Sequence, residues 1–93
     1  MVLWGCNPLN NSQISWQVAD HGAWPGVAVM KKAGTKVISI DPILTETCKE
    51  LNGEWIAPRP QTDVPMMLGI AHTLYTEKLH DQAFLDRYTT GFD

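Results

Sequence analysis

The sequence predicts an α/β fold built on a short parallel sheet, and it predicts that this fold is only part of a domain. Strand-like apolar runs alternate along the chain with helix-like segments, and there are three of them, "VLW", "KVISI" and "EWIA". Such alternation is typical of a parallel sheet with helices packed on its faces. Three strands are few for such a sheet and leave edges that need cover. The 93 residues are therefore expected to belong to something larger.

Composition and charge exclude several kinds of partner. The chain is 44% hydrophobic and 18% charged, with a formal net charge of −3 and no basic run. Nucleic-acid and polybasic membrane surfaces need clustered Lys and Arg, so neither is expected. No apolar run approaches the roughly 20 residues that span a bilayer, so membrane insertion is not expected. No basic-then-apolar leader follows Met1, which is interpreted as an artificial start or an internal boundary.

The two cysteines, Cys6 and Cys48, lie outside any CxxC or zinc-ligand spacing. Two buried or half-buried thiols are favoured over a disulfide, although spacing alone does not decide the pairing. The compartment does not follow from them.

The first half of the chain is predicted to run strand, loop, helix, strand. The first strand ends at Gly5, and the stretch "GCNPLNNS" reads as a loop because it is rich in Gly, Asn, Pro and Ser. The next stretch, "QISWQVADHGAW", is ambiguous. A helix is predicted from about Val27 to Lys32, with Gly34 as its C-terminal glycine. The run "KVISI" lacks strict alternation, which favours a strand covered on both faces.

The middle of the chain predicts a short helix and a third strand. Thr45 is placed to cap a helix over "TETCKEL", with Cys48 where a complete capping box has Glu. Asn52 and Gly53 indicate a turn, "EWIA" a strand and "PRPQT" a loop.

The clearest helix begins after Thr62, which is placed to cap it, while Asp63 favours its positive end and Pro65 fits its first turn. Its apolar residues recur at helical spacing and form one face: Val64, Met67, Leu68, Ala71, Leu74 and Tyr75. A last helix is predicted from about Asp81 to Gly91. Its inward residues are expected to be Phe84, Leu85 and Tyr88.

Three polar loops leave the predicted strands, and ligands of open parallel sheets bind beyond the carboxyl ends of the strands. Asp41, at the tip of the second strand, is placed as a ribose- or base-binding carboxylate, because a carboxylate accepts hydrogen bonds from sugar hydroxyls. Pro42 ends the strand there. In the third loop, Thr62 and Asp63 lie at a helix start that favours anions, and Asp63 would itself bind a donor such as the N–H edge of guanine. The first loop offers amide and hydroxyl groups from Asn7, Asn10, Asn11 and Ser12.

Two common nucleotide-binding motifs are absent from the sequence. After the first strand the chain reads "GCNPLN", with one glycine where the dinucleotide fingerprint G-x-G-x-x-G needs three. No G-x-x-x-x-G-K-[ST] occurs either. A standard hydride-transfer domain is therefore not expected.

The three loops together carry a resemblance. The stretches "VLWGCNPLNN", "VISIDPILTET" and "RPQTDVPMMLGIAHTLYTEKLHDQAFLDRYTTGF" resemble molybdenum reductases that use bis(molybdopterin guanine dinucleotide). The subgroup with the greatest likeness comprises the trimethylamine N-oxide, dimethyl sulfoxide and biotin sulfoxide reductases. The resemblance covers nearly the whole chain. One departure is Gln61, which stands where the family's Pro-Gly-Thr-Asp pattern has glycine.

The resemblance implies that residues 1–93 are a fragment of a Rossmann-like, three-layer domain that holds one guanine dinucleotide arm. By that likeness the first loop supplies Trp4, Gly5, Asn7 and Pro8, the guanosine meets Ile40, Asp41 and Pro42, and the pocket is completed by Pro60, Thr62 and Asp63. The implied partners are the cofactor and the remaining domains of a larger reductase.

The resemblance also sets expectations for activity and location. In the family the metal is held by pterin dithiolenes and a serine that lies well before this stretch, and no residue here matches that serine. No metal ligand, no catalytic residue and no redox activity are therefore expected of this chain alone. Several relatives are periplasmic, which favours the periplasm over the cytoplasm.

Simpler alternatives stay open at this stage. Asp41 would also suit a cap on the turn after a strand, the asparagines are common turn residues, and Thr62 is first a helix cap. The whole chain would alternatively be a standalone nucleotide-binding or interaction module without redox chemistry. A fragment, unlike such a module, is expected to expose apolar surface and to self-associate.

Overall fold

A computed structural model of the chain describes residues 1–12 and 21–91. Most of the ambiguous stretch, residues 13–20, lies outside the described residues. The chain divides into two compact units, Met1–Pro60 and Gln61–Asp93.

The first unit is built on a parallel sheet of three strands. The strands are β1 (Val2–Trp4), β2 (Ile38–Ile40) and β3 (Glu54–Ile56), in the order β1-β2-β3. Leu3 pairs with Ser39 and Ser39 with Trp55, which fixes the register across the sheet. The predicted α/β fold with a short parallel sheet is confirmed. The three-layer, Rossmann-like arrangement stays a prediction.

The described residues of the same unit form three helices: α1 (Pro8–Asn11), α2 (Ala23–Lys32) and α3 (Glu46–Glu50). The prediction that "GCNPLNNS" is entirely loop was wrong, because Pro8 opens a helical turn at a position where its missing N–H costs nothing. The helix predicted from about Val27 begins one turn earlier, at Ala23. Pro25 is compatible with that start because it lies in the first turn, where backbone N–H groups have no helical acceptor.

Gly34 ends α2 as predicted. Its φ is +67°, a left-handed conformation that glycine adopts without a Cβ penalty. The Thr35 N–H donates to the carbonyl of Met30, and the Gly34 N–H donates to that of Lys31, both at 3.1 Å. This pair of bonds is the Schellman motif, and it satisfies carbonyls that the helix end would leave without partners.

The core of the first unit, as far as the described residues show it, contains buried residues from β1, α1, α2 and the segments next to β2 and β3: Leu3, Leu9, Val27, Val37 and Leu51. Cys48 is buried and Cys6 is half-buried, and both are free thiols, as predicted.

Two helices form the described part of the second unit, α4 (Asp63–Thr76) and α5 (Gln82–Tyr88). Thr62 takes the N-cap position of α4, as predicted, but its side chain makes no capping hydrogen bond. Asp81 caps α5 by accepting a 3.0 Å hydrogen bond from the Phe84 N–H. Within the described residues, no helix is both long enough and apolar enough to cross a membrane.

Apolar side chains of the second unit are largely exposed. The apolar face predicted for α4 is present, but the helix has no buried residue, and Leu68 is 65% exposed. The expectation that Phe84 and Tyr88 point inward was wrong, since they are 55% and 63% exposed. Their rings instead contact each other, with centroids 4.9 Å apart. Only Leu85 of the three is half-buried.

Candidate cofactor-binding site

The candidate site lies at the carboxyl edge of the sheet, where the loops after β1 and β2 begin side by side. The Gly5 N–H donates to the carbonyl of Ile40 at 2.9 Å, and the Asp41 N–H donates to the carbonyl of Ile56 at 3.1 Å. The ladder thus continues one residue beyond each strand. The parallel order brings Trp4, Gly5, Ile40 and Asp41 to one edge, as the sequence predicted.

Gly5 gives the first loop its direction. Its φ is +56°, in the left-handed region where a Cβ would be strained. A Cβ built on Gly5 would meet nothing within 4 Å. The requirement for glycine is therefore conformational, and the space beside its backbone is open.

Asp41 organises the turn that ends β2. Its Oδ1 accepts a 2.8 Å hydrogen bond from the Ile43 N–H, which closes a turn around Pro42. Its main-chain carbonyl accepts a 2.8 Å bond from the indole Nε1 of Trp55. The turn-capping interpretation of Asp41 is therefore confirmed. Asp41 is half-buried, and among the described residues its Oδ2 has no hydrogen-bond partner.

Asn7 joins the first loop to α3, the helix that follows the second loop. Its Oδ1 accepts a 2.6 Å hydrogen bond from the hydroxyl of Thr47 and a 3.3 Å bond from the Thr47 N–H. The same hydroxyl accepts a 3.0 Å bond from the Leu9 N–H. Thr47 is fully buried, with 0% of its surface exposed. The loop after β1 and the helix after β2 are therefore joined by a closed polar cluster.

The remaining polar residues of the first loop are less involved. Asn10 and Asn11 lie exposed on α1, and their N–H groups both donate to the carbonyl of Asn7 at 2.9 Å. Pro8 is the first residue of that helix, and Ser12 follows its end. These residues form the helical turn. Of the three asparagines, only Asn7 has a side-chain hydrogen bond to α3 among the described residues.

The third loop crosses the boundary between the two units. Pro60 is the last residue of the first unit, whereas Thr62 and Asp63 belong to the start of the second. Gln61 has a φ of +65°. The family pattern's glycine suits this left-handed position, and glutamine holds it at a cost in strain.

Thr47 is the residue that sequence reasoning missed. A signal was available, because Thr47 and Leu51 are four apart on α3 and therefore share one helix face. A polar residue on a buried face needs a hydrogen-bond partner, and the nearest polar loop is the one that contains Asn7.

No metal-binding cluster accompanies the site within residues 1–12 and 21–91. No group of three or more His, Cys, Asp or Glu side chains there is close enough to hold a metal ion. The chemistry of the described site is that of hydrogen-bond donors and acceptors around two loops.

Comparison with known proteins agrees with this arrangement. The family model for molybdopterin oxidoreductases matches residues 1–91. A dimethyl sulfoxide/trimethylamine N-oxide reductase from Cereibacter sphaeroides is 50% identical over the whole chain, which covers 11% of that protein. A trimethylamine-N-oxide reductase from Haemophilus influenzae is 46% identical over 99% of the chain, again 11% of that protein. Trimethylamine-N-oxide reductase 1 from Escherichia coli K12 is 46% identical, and 12% of it is covered.

The chain thus spans about a ninth of the length of these relatives. The family model covers nearly all of it, and the whole-chain identities reach 50%. The resemblance drawn from the three loop motifs is confirmed, and this chain belongs to the molybdopterin oxidoreductase family.

Proposed function

We propose that this chain holds the guanosine arm of molybdopterin guanine dinucleotide within a larger molybdenum-dependent reductase of N-oxides or S-oxides. The parent would be of the trimethylamine N-oxide, dimethyl sulfoxide or biotin sulfoxide type and would carry the cofactor in its bis form. The observation that carries the proposal is the placement of Asp41 beside the Gly5 loop at the carboxyl edge of the sheet. A periplasmic location of the parent is part of the same proposal.

The residues present fit a guanosine ligand. The Oδ2 of Asp41 is an acceptor, and ribose hydroxyls and the N–H edge of guanine are donors. The amide of Asn7 adds a donor, and guanine and phosphate both offer acceptor oxygens. The open space beside Gly5 allows a ligand to approach the backbone. Acceptor, donor and open backbone therefore lie on the two neighbouring loops.

The chain's own contribution is binding and orientation. When bound, the cofactor supplies two-electron redox chemistry at its molybdenum, and the protein supplies position and electrostatics. Asp41, held by its turn, would fix the sugar or the base, and Asn7, held by Thr47, would fix a second point. No residue of this chain matches the serine that binds the metal in the resembling reductases. We therefore propose that the chain is inactive alone.

A single substitution at Asp41 tests the proposal. Asp41→Asn retains an oxygen that accepts from the Ile43 N–H, so the turn persists, but it replaces the acceptor Oδ2 by a donor. A hydrogen bond to a charged group contributes about 1.5–3 kcal/mol, so we expect the affinity of the chain for GDP, measured by titration calorimetry, to fall about tenfold or more.

Glu54→Gln is the matched control. Glu54 is an exposed carboxylate at the opposite, amino end of β3, and its loss changes net charge by the same amount. Equal affinities for GDP in wild type and Asp41→Asn would refute the role of Asp41. An equal loss of GDP affinity in Asp41→Asn and Glu54→Gln would show that the effect comes from net charge.

A further inference from the structure

The start of α1 is capped in an unusual way. Asn7 takes the N-cap position, but its side chain makes no capping hydrogen bond to its own helix. The Leu9 N–H, which has no acceptor within the helix, donates instead to the Thr47 hydroxyl at 3.0 Å. Thr47 therefore does the capping from α3, and the carboxamide of Asn7 serves another purpose.

The hydrogens of this cluster are determined by chemistry. The N–H groups of Leu9 and Thr47 can only donate. Because the Thr47 hydroxyl accepts from Leu9, its own hydrogen is available for Asn7, 2.6 Å away. Asn7 thus receives two donors from Thr47, a hydroxyl and an N–H at 3.3 Å, so the atom facing Thr47 must be the oxygen. A reversed amide would set its NH2 group against the Thr47 N–H.

We propose that Thr47 is a positioning residue that makes Asn7 a donor toward the cofactor. Because Oδ1 accepts from Thr47, the side chain of Asn7 has only its NH2 group to offer a ligand. Among the described residues, its Nδ2 has no hydrogen-bond partner. Asn7 is half-buried. The ligand atom that it meets is therefore an acceptor, either on a phosphate or on the guanosine. This inference rests on the proposed function and adds the polarity of one contact.

The two loops then present opposite polarities. Asp41 offers an acceptor oxygen, and Asn7 offers a donor, from positions set by neighbouring strands. Thr47 lies on α3, which follows the Asp41 turn along the chain, and its buried side chain joins that helix to the Asn7 loop. Removing its hydroxyl would remove the acceptor at 3.0 Å from the Leu9 N–H and would release the carboxamide of Asn7 to rotate.

Three variants separate these roles. Thr47→Val has nearly the same shape without the hydroxyl, and Thr47→Ser keeps the hydroxyl and serves as the rescue. Asn7→Asp keeps an oxygen for Thr47 but has no NH2 group. Thr73→Val is the control for loss of a threonine hydroxyl elsewhere, since its bond to the Gly69 carbonyl is exposed on α4.

Two quantities are measured on the 93-residue chain. Amide hydrogen exchange of Leu9 reports whether Thr47 holds the loop, independently of any ligand. Affinities for GDP and for guanosine, measured by calorimetry, report the ligand contact. In Thr47→Val we expect exchange at Leu9 to accelerate and GDP affinity to fall about tenfold, as loss of one well-placed hydrogen bond predicts. Thr47→Ser is expected to restore both.

Asn7→Asp is expected to keep Leu9 protected and to lose GDP affinity, because the donor is replaced by a charged acceptor. If guanosine loses affinity equally, the acceptor belongs to the guanosine part. If only GDP loses affinity, both in Asn7→Asp and in the uncharged Thr47→Val, the acceptor belongs to phosphate. GDP binding by Asn7→Asp at wild-type strength would overturn the donor assignment. Unchanged GDP affinity in Thr47→Val, with Leu9 deprotected, would overturn the positioning role.

Failure of the proposed function gives a different pattern. If wild type binds neither GDP nor guanosine, the guanosine site is refuted for this chain. Faster amide exchange at Leu9 in Thr47→Val, restored to the wild-type rate in Thr47→Ser, would then still support the hydrogen bond between Thr47 and the first loop. Unchanged Leu9 protection in Thr47→Val overturns the inference whether or not GDP binds.

Discussion

Gly53 lies where α3 turns into β3, against the buried part of the first unit. A Cβ built there would lie 3.2 Å from Cys48 Sγ and 3.2 Å from Val37 Cγ1, and both of these residues are buried. Overpacking of this kind costs about 1–3 kcal/mol. We expect Gly53→Ala to lower the free energy of unfolding by that amount, measured by urea denaturation.

Gly26→Ala is the matched control for Gly53→Ala. Gly26 lies inside α2, and a Cβ built on it meets nothing within 4 Å. The change should stabilise the protein by about 1 kcal/mol, because alanine has the higher helix propensity. A free energy of unfolding equal to that of wild type for Gly53→Ala would contradict the close packing described at this turn.

The site residues show what can be predicted from a sequence at this scale. The position of Asp41 at the end of β2 was predictable, because the apolar run "KVISI" stops there and Pro42 follows. Its role in capping the turn around Pro42 was weighed from the sequence and is confirmed, and its contact with a ligand stays a prediction. Thr47 was not singled out, because its role depends on a contact with Asn7, 40 residues away in the chain. No local pattern specifies such a pairing.

At the scale of elements, α4 ends in a Schellman motif without glycine. Lys78 has a φ of +54°, its N–H donates to the Tyr75 carbonyl at 3.2 Å, and the Leu79 N–H donates to that of Leu74 at 2.9 Å. A residue other than glycine in this conformation costs on the order of 1 kcal/mol. We expect Lys78→Gly to raise the melting temperature of the second unit.

His72→Gly provides the control in the same helix. His72 is exposed in the middle of α4, where glycine is less favourable than other residues by up to about 1 kcal/mol. We therefore expect Lys78→Gly to raise the melting temperature and His72→Gly to lower it, although both introduce glycine into the same helix region. Circular dichroism during heating measures both changes. A lower melting temperature for Lys78→Gly would contradict the account of this helix end.

Element boundaries were predictable where local chemistry decides them. Thr45 caps α3 by accepting a 3.2 Å bond from the Cys48 N–H and Gly34 ends α2, both as the sequence indicated. The predicted start of the last helix at about Asp81 also agrees with α5, which begins at Gln82. The start of α2 and the whole of α1 were not predicted. Each of these helices has a proline in its first turn, where proline is compatible with a helix. In a stretch rich in loop-forming residues, the same proline favours the prediction of a helix end or a loop.

At the scale of the whole molecule, α4 and α5 carry eight of the seventeen exposed large apolar side chains among the described residues. The sequence correctly predicted the apolar spacing of α4, but spacing alone does not say what covers a face. Of the described large apolar residues, those on α4 with at least two-fifths of their surface exposed are Val64, Met67, Leu68, Ile70, Leu74 and Tyr75. Large contiguous apolar surfaces are uncommon on monomeric proteins.

We accordingly expect the 93-residue chain to self-associate as its concentration rises, measured by sedimentation velocity. Leu68→Glu should lower the association, because it places a charge on the most exposed leucine of α4. Lys32→Glu, a charge change at an exposed position of α2, is the control. A chain that sediments as a monomer at all concentrations would contradict this expectation.

The central claim is that the carboxyl edge of the sheet forms a guanosine site. Its most direct test is an NMR titration of the isotope-labelled chain with GDP, with ADP as the matched nucleotide that differs in the base. The account predicts that GDP shifts the amide signals of Gly5, Asn7 and Asp41 and that ADP shifts them far less. Dispersed spectra with no change at these residues, or equal changes with both nucleotides, would contradict it.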